Sequence, residues 1–84
     1  MLYVRNYKTT TMTPLQAITT LKTIWHNEPE TFEFYASPIL QGAHNKKLRC
    51  EIYYHLYGNK PKKLTPYECM RYVEAKFKQH TLFD

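Results

Sequence analysis

The chain has 84 residues, room for one domain with a single modest core and too little for two. Apolar residues make up 43%, aromatics 15% and charged residues 23%, with a net charge of +5; this is a globular composition and excludes a disordered tail. No stretch reaches the ~18 to 20 apolar residues that span a bilayer, and "MLYVRNYKT" lacks the apolar run of a secretion signal, so a cytoplasmic location is expected.

In chain order, residues 2 to 8 alternate, with Leu2 and Val4 on one side and Tyr3, Arg5 and Tyr7 on the other, which predicts a strand. Thr13, Pro14 and Gln16 then form a capping box: the Thr13 hydroxyl can accept from the third helical N–H while Gln16 reaches back, and proline suits the first helical position. The helix that follows should end at Pro29. "TFEFYA" puts Phe32 and Phe34 opposite Glu33 and Tyr35, a second strand limited by Pro38. After a loop near "SPILQGAHN", residues 48 to 57 alternate again, with Leu48, Cys50, Ile52, Tyr54 and Leu56 opposite Arg49, Glu51, Tyr53, His55 and Tyr57, a third strand. Thr65, Pro66 and Glu68 repeat the capping box and start a second helix. Thr81, Leu82 and Phe83 could add a very short fourth strand.

The two helical segments share an apolar pattern. With a shift of 52 positions Leu15 falls on Tyr67, Ala17 on Cys69, Ile18 on Met70, Leu21 on Val73 and Trp25 on Phe77. Each helix therefore buries one stripe. The order β-α-β-β-α predicts a single two-layer α+β domain over residues 1–84, a sheet of about three strands with both helices on one face.

That arrangement would leave Tyr3, Arg5, Tyr7, Tyr35, Arg49, Tyr53, His55 and Tyr57 on the open face, too many aromatics for a bare surface. Residues 44–63 carry Lys46, Lys47, Arg49, Lys60, Lys62 and Lys63 against one acid, Glu51, so this strand and its flanking loops account for the whole net charge. Cations bordering tyrosines suit a phosphate backbone with bases stacked between. The expected function is a small module that binds single-stranded DNA or RNA with little sequence preference. Lys46, Lys47, Arg49, Lys60, Lys62 and Lys63 would neutralise phosphates, and Tyr53, Tyr57 and Tyr35 would stack bases.

The rival expectation is a protein-interaction subunit, a homodimer or an accessory partner of a larger replication or phage-type enzyme, using the same aromatic face. The lysine-rich, alanine-poor composition fits an AT-rich genome and a mobile-element origin. Chemistry is not expected. His26, His44, His55, His80, Cys50 and Cys69 show no paired metal-ligand spacing, so no metal or cofactor is implied, and both cysteines should be reduced core thiols. With two glycines there is no phosphate loop, and Cys50 and His55 fall on opposite faces of the third strand, so no enzyme activity is indicated. A helix-turn-helix is excluded because strands would separate the two helices. The residues assign no family.

Overall fold

The structure, a computed structural model, describes residues 12–83, with side chains given for 12–42 and 44–79. Four α-helices make up the fold of these residues: α1 (Pro14–Asn27), α2 (Phe32–Leu40), α3 (Lys46–Tyr57) and α4 (Pro66–Phe83). Single 3-10 turns at Pro29–Thr31 and Ala43–Asn45 sit on the connections before α2 and α3.

No strand occurs among the described residues, so the expected α+β sheet is replaced by a small helical bundle. The segment read as a second strand is α2, the third is α3, and Thr81 to Phe83 continue α4. The first, residues 2 to 8, lies outside the described residues.

The physical reason is visible in what each segment buries. In α2 the buried residues are Phe32, Ala36, Ile39 and Leu40, a helical stripe, while Phe34, the expected core partner of Phe32, is 73% exposed. Pro38 does not stop this helix but lies inside it. In α3, Leu48, Ile52 and Leu56 are four apart, a spacing that fits a strand period of two and a helix turn alike. The residues between decide the matter: α3 buries Arg49, Cys50 and Ile52 and exposes Tyr54. Gly58 then ends α3 with a left-handed backbone (φ 92°), and its N–H donates to the Tyr54 carbonyl at 2.8 Å.

Both capping boxes form. The Thr13 N–H donates to Gln16 Oε1 at 3.0 Å and the Gln16 N–H to the Thr13 hydroxyl at 3.2 Å. At α4, Thr65 and Glu68 exchange the same pair of bonds at 3.1 Å each. The shared pattern extends to burial: Ala17 and Cys69, Ile18 and Met70, Leu21 and Val73 are buried in both helices, and Leu15 and Tyr67 are exposed in both.

That likeness follows from placement. α1 packs against α2 and α3, α4 also packs against α2 and α3, and the diagonal pairs touch least. Side-chain contacts give the directions. The Cys69 thiol lies 3.9 Å from the Arg49 carbonyl, and Tyr53 and Tyr57 meet Tyr72, so α3 and α4 run in the same sense. Met12 and Pro14 share a cleft with Asn45, Lys47 and Leu48, so α1 also starts where α3 starts. α2 runs the other way, its Phe32 meeting Trp25 late in α1 and Phe77 late in α4 in edge-to-face contacts at 5.5 and 6.3 Å. Diagonal corners with the same neighbours ask for the same stripe.

Because α3 and α4 are parallel, the chain from Gly58 to Thr65 must return the length of α3, about 18 Å for its twelve residues. It does so alongside the helix: Lys60 reaches Glu51 at 3.4 Å, and the Leu64 carbonyl is held by Arg49 at 2.7 Å. This crossover brings together residues that lie far apart along the sequence.

Candidate nucleic-acid interface at the lysine end

Arg49 sits one turn into α3 and is buried. Its Nε donates to the Leu64 carbonyl at 2.7 Å, and its Nη1 donates to the carbonyls of Leu40 at 2.6 Å and Gly42 at 2.8 Å. Beside it the buried Asn45 amide donates to the carbonyls of Ile39 at 3.1 Å and Gln41 at 2.8 Å. The last turn of a helix leaves carbonyls without helical partners, and here two side chains from the start of the next helix supply donors for them. Arg49 is thus a fastening between α2, α3 and the crossover, not a phosphate ligand on an open face. This corrects the expectation for that residue.

Tyr53 and Tyr57 face the groove between α3 and α4. They stack on each other with centroids 4.6 Å apart and planes 21° from parallel. Tyr72 meets both edge-on, at 5.0 and 5.9 Å; the Tyr57 hydroxyl donates to the Tyr72 carbonyl at 2.6 Å, and the Lys76 ammonium lies 4.6 Å from the Tyr57 ring centroid. Burial raises the Tyr57 phenol above its ordinary value, with Tyr53 and then Tyr72 adding to the rise. Packed together, these rings hold α3 to α4 rather than standing open for bases. Tyr35 is on α2, at the diagonal corner from α3, against Phe34 at 5.1 Å.

The lysines behave differently. Lys46, Lys47, Lys60, Lys62 and Lys63 are all exposed. Their two groups flank α3 in sequence, yet the crossover carries the second group back toward the first: Lys60 bonds Glu51, which is one turn on from Lys47, and Leu64 is tied to Arg49. Lys46 and Lys47 stand in the first turn of α3, at the end of the bundle where α1, α3 and α4 all begin. The crossover runs back toward them, with Lys60 beside Glu51 midway along α3 and Lys62 and Lys63 leading to the Leu64 carbonyl held by Arg49. Helix N-termini carry about half a positive charge each, so backbone and side chains add in sign there. The acids Glu28, Glu30 and Glu33 lie at the opposite end, on the connection from α1 and the start of α2.

Sequence reasoning missed Asn45 and the Tyr72–Lys76 pair. The only signal for Asn45 was its place just before a run of good helix formers. Excluding a helix-turn-helix on the ground of intervening strands also falls, since α2 and α3 are helices joined by five residues. Both cysteines are free and buried, and burial pushes the Cys69 thiol up to about 12, which keeps that thiol protonated near neutral pH. No described helix is long and apolar enough to cross a membrane.

No protein-family model matches the chain, and neither a curated protein nor a solved structure matches it.

Proposed function

We propose that the protein binds nucleic acid, single-stranded DNA or RNA included, through its phosphate backbone at the lysine end. The observation that carries this reading is the return of the crossover along α3, which brings the chain of Lys60, Lys62 and Lys63 back toward the first turn of α3, where Lys46 and Lys47 stand. Lys46 and Lys47 occupy the first turn of α3, where a cation opposes the helix dipole. A phosphate there would relieve that opposition.

With Tyr53 and Tyr57 packed against each other, binding rests on charge, and base identity is not read. Fluorescence anisotropy with labelled single- and double-stranded oligonucleotides tests this directly. Affinity should fall with salt by about −0.7 in the log–log slope for each phosphate contacted on a single strand, and about −0.9 on a duplex. Replacing Lys60, Lys62 and Lys63 together by Glu should abolish binding and leave the far-ultraviolet circular dichroism unchanged. Undiminished binding by that variant would rule the reading out.

The rival reading, a protein-interaction module, loses its aromatic sheet face but gains a specific observation in Phe34, 73% exposed at the acidic end.

A further inference from the structure

We propose that the chain self-associates, Phe34 of one copy entering the cleft between α1 and α3 of another. Beyond nucleic-acid binding, this assigns an interaction surface and its occupant.

Phe34 is more exposed than any other large apolar side chain among the described residues. Tyr35 meets its ring edge-on at 5.1 Å. Exposed Glu33 precedes it, and exposed Glu30 lies four residues earlier. The knob is therefore an aromatic ring with two exposed carboxylates just ahead of it in the chain.

The matching hole is on the same molecule. A cleft of about 320 Å³ opens between the start of α1 and the start of α3, lined by Met12, Pro14 and Leu48, with His44, Asn45, Lys47 and Glu51 around them. Its volume admits a phenyl ring. Glu51, the acid in the lining, is already joined to Lys60, while the Lys47 ammonium is at hand for Glu30 or Glu33. Charge complementarity thus selects the occupant: an acid-flanked phenylalanine for a cleft of mixed lining, apolar at Met12, Pro14 and Leu48 and cationic at Lys47. Among the described residues this chain supplies that feature itself.

Phe34 belongs to the start of α2, at the end of the bundle away from the cleft. One copy cannot seat its own ring, so the contact joins two copies. A knob that fits a hole elsewhere on the same surface makes a head-to-tail contact, which continues into a chain unless the geometry closes it.

Sedimentation velocity of the full chain at low salt, over a hundredfold range of concentration, tests the proposal. The mean mass should rise with concentration. Phe34→Ala should weaken association at least tenfold, as should Glu30→Lys with Glu33→Lys, while each variant keeps the wild-type circular dichroism. Adding Lys47→Glu to the acid-to-lysine variant should restore association in part. A wild-type protein that stays monomeric throughout, or variants that associate as it does, would overturn the proposal. Oligonucleotide affinity of Phe34→Ala, measured at protein concentrations where the wild type is monomeric, separates the two readings: Phe34 is outside the lysine cluster and Lys47 is then not engaged by a second copy, so that affinity should match the wild type whichever way the association result falls.

Discussion

Arg49 shows how a cation is accommodated inside a bundle this small. Three carbonyl dipoles face its guanidinium, one of them at the C-terminal end of α2, where the backbone is already negative. Removing the donor strands those carbonyls. Arg49→Met should cost about 3 kcal/mol or more in urea unfolding, since each buried group left unpaired is worth ~1–3 kcal/mol. Arg49→Lys should recover little, because one ammonium cannot reproduce a planar fork. Cys69 gives a prediction of a different kind. Burial is the largest cause of its raised value, Cys50 adds to it, and Arg49 opposes it. The folded thiol stays protonated up to about 12 against an ordinary 9.0, so its contribution is complete below the unfolded value and lost as pH climbs from there toward 12. Stability of the wild type should therefore decline more steeply above pH ~9 than that of Cys69→Ala, and equal slopes would show that the thiol is not the titrating group. The buried thiol was legible from its apolar position in the sequence, but the role of the arginine was not. An arginine in a lysine-rich stretch looks like one more surface cation, and only a three-dimensional neighbour reveals which carbonyls need it.

The helices α1 and α4 were readable because their boundaries are set by local chemistry. A threonine, a proline and a glutamine or glutamate in fixed register satisfy orphan N–H groups within four residues, whatever the rest of the chain does. Thr13→Ala and Thr65→Ala should each cost about 1 kcal/mol. Their partners are separate and their helices diagonal, so thermal or urea unfolding of the double variant should give the sum. The other two helices were misread because their signals conflict. Leu48, Ile52 and Leu56 satisfy both periods, tyrosine favours strands, and the lysines, leucines and Glu51 around them favour helix. In α2, Phe32 and Phe34 suggested alternation, yet Phe32, Ala36, Ile39 and Leu40 are the residues that reach the core. Pro38 strengthened the wrong reading, since a proline inside a helix removes a donor and costs about 3 kcal/mol.

At the scale of the molecule, the concentration of charge in residues 44–63 was evident from composition alone, but its shape was not. A strand would have held the two lysine groups apart, whereas parallel helices force the chain between them to double back. The strand that was to carry Arg49, Tyr53 and Tyr57 is the helix α3, and of the eight expected contacts the five lysines are the exposed ones, Lys60 among them already paired with Glu51. Parallel packing also sets a limit on the connection from α3 to α4. Most surface loops can be shortened or lengthened at small cost, but this one is a tether with a minimum length. Its nine Cα-to-Cα steps from Tyr57 to Pro66 reach about 30 Å at full extension, and the gap it must cover is the diagonal of about 18 Å along α3 and the ~8–10 Å between neighbouring axes, about 20 Å. Deleting residues 59–62, which leaves five steps of at most about 18 Å, should leave α4 unable to dock, seen as loss of cooperative unfolding, whereas three glycines or serines inserted at Asn59 should be tolerated within about 1 kcal/mol. The stretch that presents the lysines is thus also the stretch whose minimum length the architecture dictates.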